Sequence, residues 1–271
     1  MPAPDTAADL ALLESAVRNA GEIARKFYGG TYKRWSKAQG SPVTEVDLAV
    51  DRYLNETLCA ARPCYGWLSE ETDDDLARLD AEAVFVVDPI DGTIAFMKNR
   101  PHFTICAAVV RAERPVAGVV YNPISEEFYS ARLGCGATCN GIEIRVSNKK
   151  DVEDCRMLGD KAMFGHTAWR EPPNIPWPEM HVESRNSIAY RMALVANGTF
   201  DCMMALSAKR DWDLAAAEIV LQEAGGLVTS HYGSTLRYNR SATIQTSVVG
   251  AGPTLHAKLL NRVSHIKLPH R

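Results

Sequence analysis

The sequence predicts an α/β fold in which helices are layered against two sheets within one continuous body. Three observations point that way. Amphipathic helical stretches alternate with apolar runs of strand length along the chain. Three consecutive runs between residues 103 and 131 are separated only by turn signals, as in an antiparallel meander. No repeat, linker or low-complexity segment divides the 271 residues, which suffice for a sizeable core.

Each element has its own signal. Residues 6–28 carry Leu10, Leu13, Val17, Ala20, Ile23, Ala24 and Phe27 at helical spacing, and Gly29-Gly30 ends that helix. A polar stretch, Lys33 to Pro42, follows. Thr44 to Leu58 reads as a second helix, apolar at Val46, Val50, Leu54 and Leu58, with Asp47 and Asp51 on another face. Trp67-Leu68-Ser69 reads as a short strand ending in an acidic loop, Glu70-Glu71. Val84 to Val87 is a buried strand. Phe103–Val110, Val116–Tyr121 and Glu127–Ala131 form the meander, with turns at Arg114-Pro115, Asn122-Pro123 and Gly134. Residues 165–180, rich in Pro and Trp, read as a loop. A helix over Ser187–Ala196, a strand over Phe200–Leu206 and a helix over Asp211–Ala224 follow, the last stopped by Gly225-Gly226. A strand near Ser247–Ala251 and a helix over Thr254–Val263 complete the series.

Composition narrows the function classes. Apolar content of 46% and charged content of 23% are ordinary for a globular protein. A net charge of −3 gives no reason to expect nucleic acid or an acidic membrane surface as partner. No apolar run approaches the roughly 20 residues of a membrane helix. Met1-Pro2-Ala3-Pro4-Asp5 lacks the basic and apolar regions of a signal peptide. Seven scattered cysteines fit reduced thiols in a cytoplasmic protein, and Cys135 and Cys139 have no second pair at zinc spacing.

The chemistry concentrates in Asp88-Pro89-Ile90-Asp91-Gly92-Thr93, directly after the buried strand. Ligands bind at the carboxyl ends of strands in open α/β sheets. Asp88 and Asp91 can reach one cation, and Pro89 fixes the backbone so that the Ile90 carbonyl adds a third oxygen. The amides of Gly92 and Thr93 can turn toward an anion. A hard cation beside a phosphate is the minimum kit for metal-assisted phosphoryl hydrolysis. Two further acidic signals have bland readings when taken alone. Glu70-Glu71 reads as a solvated loop pair, and Asp211-Trp212-Asp213 as helix capping. Lys37 reads as solvated, and His102 as structural or exposed.

Taken together, the hexapeptide, the Trp67-Leu68-Ser69-Glu70-Glu71-Thr72 segment and the Trp212-Asp213…Ala224-Gly225-Gly226 helix resemble the inositol monophosphatase superfamily. Members are Mg²⁺-dependent, lithium-sensitive phosphomonoesterases. Ser41-Pro42-Val43-Thr44-Glu45-Val46-Asp47 also resembles the family's segment before its second helix. The resemblance implies an αβαβα sandwich of sugar-phosphatase type. It implies one domain over 1–271, with possible sub-lobes 1–180 and 181–271. It implies two to three Mg²⁺ ions. Glu70, Asp88 and the Ile90 carbonyl would hold the first, and Asp88, Asp91 and Asp213 the second. A weaker third would lean on Glu70. Water oriented by Glu70 and by a Thr93–Asp47 pair would attack phosphorus without a phosphoenzyme. A homodimer is implied, with 165–180 offering apolar surface.

Substrate contacts would come from Asp91, Gly92, Thr93, Ser187, Ile188, Leu206 and Asp213. Here the chain departs from the family. Leu206 stands seven residues before Asp213, where a ring-binding Glu is usual, and Asn186-Ser187-Ile188 replaces a Gly-Thr-Ala stretch. Loss of the acceptor weakens polyol recognition by roughly 1–3 kcal/mol. The expected activity is hydrolysis of a small phosphorylated metabolite. Alternatives are adenosine 3′,5′-bisphosphate, with Arg185, Tyr190, Lys209 and Arg210 helping a second phosphate or base, and histidinol phosphate. A different class is a non-catalytic, RNA-associated regulator, against which the net charge argues.

Overall fold

The computed structural model describes residues 5–37, 40–165 and 176–268. Helix α1 (Thr6–Phe27) opens at Asp5, whose side chain accepts the amide of Ala8. A short hairpin, β1 (Arg34–Ser36) and β2 (Pro42–Thr44), leads into α2 (Glu45–Ala61). Thr44 and Asp47 cap α2 reciprocally, each side chain accepting the other's backbone N–H.

The larger sheet has seven strands in sequence order. They are β3 (Gly66–Ser69), β4 (Ala83–Asp91), β5 (Thr104–Arg111), β6 (Arg114–Asn122), β7 (Glu127–Arg132), β8 (Ala137–Cys139) and β9 (Ile142–Glu143). Only β3 and β4 run parallel; β5, β6 and β7 are the expected meander. Strand alternation divides β4 between two cores. Phe85 and Val87 pack with Leu13, Val17, Val50 and Leu54 of α1 and α2. Val84 and Val86 pack on the opposite face, against α4 (Ile188–Ala196) and α5 (Asp211–Glu223). Contact with α5 is close at Gly118, where a Cβ would lie 2.6 Å from Ile219 and 2.9 Å from the Ala216 carbonyl.

A second sheet covers the other side of α4 and α5. Its strands are β10 (Arg156–Leu158), β11 (His181–Glu183), β12 (Cys202–Ala205), β14 (Leu227–Thr229) and β16 (Val248–Ala251), in the order β11-β10-β12-β16-β14. A small ladder joins β13 (Lys209–Arg210) to β15 (Ile244–Gln245). Helix α6 (Pro253–Val263) closes the outer face with Leu255, Leu259 and Val263. The layers therefore run helices, seven-stranded sheet, helices, five-stranded sheet, helix: the αβαβα arrangement.

Two local readings need correction. Asp88-Pro89-Ile90-Asp91 does not follow the strand but completes it, inside β4. Pro89 lacks an N–H, and the pairing with β5 slips between Asp88 and Asp91. The short strands β1, β2, β8–β11 and β13–β15 went unseen because two or three residues carry no readable alternation. Residues 166–175 of the expected loop lie outside those described. Among the described residues, no helix is long and apolar enough to cross a membrane.

Candidate active site

The slip in β4 turns Asp88 and Asp91 toward one pocket of about 180 Å³. Parallel pairing of β3 with β4 sets Ser69 beside Val87, so Glu70 emerges next to Asp88. Gly92 then turns with φ of 99°, a conformation a side chain resists, and a Cβ there would lie 2.9 Å from the His102 carbonyl. The turn starts α3 (Thr93–Met97) and places Thr93 at the pocket. Asp213 arrives from the first turn of α5.

Each carboxylate is gripped on one oxygen. Asp91 Oδ2 accepts the Ser187 hydroxyl at 2.6 Å and the Ala189 amide at 2.7 Å. Asp213 Oδ2 accepts the Arg210 amide at 2.7 Å, and Asp88 Oδ1 the Ile90 amide at 3.1 Å. Asp88 and Asp91 are buried. Burial, then mutual repulsion, drives their protonation equilibria upward: Asp88 well above the usual range and Asp213 to about 7. Asp91 rises to about 6 through burial, opposed by the Ser187 hydrogen bond. Lys209 offsets the rise at Asp213 only in part. Buried carboxylates that repel one another and form no ion pair among the described residues are a site in want of positive charge.

Thr93 Oγ1 lies 3.1 Å from Asp47 Oδ1 and 3.2 Å from the Ile90 carbonyl. The expected Thr93–Asp47 pair is thus within hydrogen-bond reach. Asp47 Oδ2 accepts the Thr44 amide at 2.8 Å and its hydroxyl at 2.5 Å. Burial lifts the Asp47 pKa to about 6 against these bonds.

Lys37 is not solvated. Its ammonium sits 2.9 Å from Glu70 Oε1 and 2.8 Å from Glu71 Oε1. Nor is Glu70-Glu71 a surface pair, because the Glu71 side chain is only 4% exposed. Among the described residues no three carboxylates are already closed around one point. Lys37 holds Glu70, and protein donors hold one oxygen of each Asp. The donor set nevertheless fits Mg²⁺: four carboxylates and the Ile90 carbonyl are all hard oxygens, and the second oxygen of each Asp remains open. Lys37 bonds one oxygen of Glu70, so the second oxygen of Glu70 stays open as well.

The expected substrate residues divide. Gly92, Thr93, Asp91 and Asp213 line the carboxylate pocket. Ile188 and Leu206 line a neighbouring cavity of about 460 Å³, which meets the pocket at Asn186. Ser187 reaches neither. It is fully buried, capping α4 and bonding to Asp91 and to Thr104 at 2.9 Å, so it positions Asp91. Tyr190 is turned away, its hydroxyl 2.5 Å from Glu127, and Arg185 is paired with Glu183. Arg210 stacks over Trp212. Lys209 does line the cavity, together with Arg191, which the sequence reading missed. Its signal was present: Ile188 and Arg191 are three apart on one helix and share a face.

Five layers enclosing a carboxylate pocket at the end of a sheet strand define a fold of the sugar-phosphatase type. The chain belongs to the inositol monophosphatase family, whose sequence model matches residues 6–268. It is 31% identical to an inositol-1-monophosphatase of Rhizobium meliloti over 83% of this chain and 86% of that protein. It is 29% identical to Nus factor SuhB of Pasteurella multocida, over 92% of each. Identity to the 3′(2′),5′-bisphosphate nucleotidase CysQ of Aggregatibacter actinomycetemcomitans is 29%, over 82% of this chain and 84% of that one. Among solved structures, SuhB of Bartonella henselae superposes with a TM-score of 0.80 at 27% identity, covering 94% and 98% of the two chains.

Proposed function

We propose that this chain is a Mg²⁺-dependent phosphomonoesterase that hydrolyses a small phosphorylated metabolite. The observation that carries the reading is the convergence of Glu70, Asp88, Asp91 and Asp213 on one pocket in which the aspartates form no ion pair among the described residues. Family membership supports the same chemistry.

Glu70, Asp88 and the Ile90 carbonyl would hold one ion, Asp88, Asp91 and Asp213 a second, with a weaker third on Glu70. Bound Mg²⁺ supplies Lewis acidity toward the phosphoryl group and neutralises charge on the leaving oxygen. The protein's own groups orient the reaction. Above about pH 6 Asp47 is ionised and accepts the Thr93 proton. That fixes the Thr93 lone pairs toward the pocket, where they accept from the attacking water. Glu70, which lines the same pocket, would orient the same water. The Gly92 and Thr93 amides meet the phosphate oxygens. Water oxygen bonds to phosphorus, the ester P–O bond breaks, and the alcohol departs with a proton.

At Leu206 an apolar side chain faces the neighbouring cavity. A polyol hydroxyl finds no carboxylate there, so inositol 1-phosphate is expected to be one substrate among several. We place the protein in the cytoplasm as a homodimer and expect inhibition by Li⁺ beyond that of an equal NaCl concentration. The relatives' names include a Nus factor, and a net charge of −3 favours catalysis over direct RNA binding. Phosphate release with Mg²⁺ from inositol 1-phosphate, adenosine 3′,5′-bisphosphate, histidinol phosphate and fructose 1,6-bisphosphate tests the reading. No release from any of them, with RNA retained in filter binding, would reverse it.

A further inference from the structure

Asp51 is a buried carboxylate that takes no part in the proposed reaction and does not line the carboxylate pocket. It forms no ion pair among the described residues. Instead it accepts two hydroxyls, one on each oxygen. Ser69 donates to Oδ1 at 2.5 Å and Thr72 to Oδ2 at 2.9 Å. These two donors bracket Glu70-Glu71.

The bracketed loop has little else to hold it. Ser69 is the last residue of β3, and the pairing with β4 stops there. Beyond it the Glu70 amide reaches the Val87 carbonyl at 3.4 Å and the Glu71 amide reaches Ser69 Oγ at 3.4 Å. The Trp67 indole N–H lies 3.3 Å from Thr72 Oγ1. All three are longer than usual for an N–H donor. The short bonds are those to Asp51 and those from Lys37 to Glu70 and Glu71. Each hydroxyl has a single proton, and both protons go to Asp51. A carboxylate, which only accepts, suits both donors at once; an amide can accept from only one.

Asp51 also stands one turn after Asp47 on α2, and residues four apart share a helical face. Asp47 takes the Thr93 hydroxyl at 3.1 Å. One helix therefore grips two walls of the pocket: Asp47 the turn that follows Asp91, and Asp51 the loop that carries Glu70.

We propose that Asp51 is the positioning residue for Glu70. Through Ser69 and Thr72 it fixes the loop that offers Glu70 to Mg²⁺, and so sets the affinity for that ion without touching it. The inference rests on the phosphatase reading and adds to it a residue outside the pocket.

Mg²⁺ alone is the probe. Tm of the chelator-treated full chain, titrated with Mg²⁺, reads binding without substrate. Phosphate release from the best of the four candidate esters is followed in parallel. Asp51→Asn keeps the shape but accepts from only one hydroxyl, so it should raise the Mg²⁺ midpoint of both responses about ten-fold. Asp51→Ala should raise it roughly ten- to a hundred-fold. Saturating Mg²⁺ should restore kcat to within about two-fold of wild type. Ser69→Ala with Thr72→Val should shift the midpoint alike, and adding Asp51→Asn should shift it no further. A merely structural role would lower the metal-free Tm and leave the midpoint unchanged, which overturns the proposal. A kcat that stays low at saturating Mg²⁺ overturns it too, as do shifts that add. Should Asp51→Ala fail to fold, Asp51→Asn and the Ser69, Thr72 pair decide. A wild type that neither gains Tm with Mg²⁺ nor releases phosphate from any of the esters would instead overturn the phosphatase reading. A wild type that responds, with variants that match it, removes only the role of Asp51.

Discussion

The carboxylate pocket and the cavity beside it share Asn186 and little else. In the first, Asp88, Asp91 and Asp213 are buried with no ion pair among the described residues, on the ends of long, regular elements, β4 and α5, and Glu70, held by Lys37, follows β3. In the second, cations stand on apolar wall, supplied by one face of α4 and by the irregular 206–209 segment after β12. The difference separates two tasks. The pocket is built to hold metal and reacting phosphate whatever the substrate; the cavity decides which alcohol is attached.

The largest effect should come from removing charge in the pocket. Asp88→Asn is expected to lower kcat at least about 10³-fold with the fold retained by circular dichroism, since Asp88 is shared by both proposed ions. Near-normal turnover in that variant would detach the chemistry from the pocket. A smaller loss should follow disruption of the proton relay. Asp47→Asn and Thr93→Val should each reduce kcat roughly 10²- to 10³-fold, with the double variant no worse than the more damaging single one. Additive losses would mean that the two side chains act separately.

On the cavity side, Leu206→Glu should move kcat/KM for inositol 1-phosphate over adenosine 3′,5′-bisphosphate upward by about ten- to a hundred-fold. The new carboxylate offers a polyol acceptor and repels a second phosphate. An unchanged ratio would place specificity elsewhere, most directly on the 183–191 segment.

The smallest effect concerns stability. Asp213 has a pKa near 7 in the fold against an ordinary value of 3.8. Below that lower value the group is protonated, folded or unfolded. As pH rises toward 7 the unfolded chain sheds the proton first, and the metal-free fold loses stability. The cost is about 1–3 kcal/mol, or a Tm decrease of roughly 3–10 °C between pH 5 and 8. Mg²⁺ should abolish the decrease, and Asp213→Asn should reduce it. A metal-free protein that is equally stable at both values would argue against unbalanced buried carboxylates.

Sequence legibility followed the same division. Helical spacing in 6–28 and the meander at 103–131 anticipated α1 and β5–β7. Asp88 and Asp91 were legible from the hexapeptide after a strongly apolar strand, whereas Glu70 and Asp213 read as a solvated loop and a helix cap until the three segments together resembled the family. Three things were illegible. Strands of two or three residues have no periodicity to read. The pairing of Lys37 with Glu70 and Glu71 joins residues more than thirty positions apart, so composition suggested solvent for both partners. Arg191 went unread: its spacing of three from Ile188 put it on the same helix face, but which way that face points is decided by the packing of α4. Ser187 illustrates the converse error, a residue rightly placed in sequence near the substrate but folded inward to hold Asp91.

The central claim is that the four carboxylates bind Mg²⁺ and that this binding makes the pocket catalytic. Phosphate release by the chelator-treated protein, titrated with Mg²⁺ while Tm is followed in the same samples, tests it most directly. The account predicts no turnover without Mg²⁺, and turnover and Tm rising over one concentration range, with both responses lost in Asp88→Asn. Full turnover after chelation, or turnover that rises while Tm stays fixed, would contradict it.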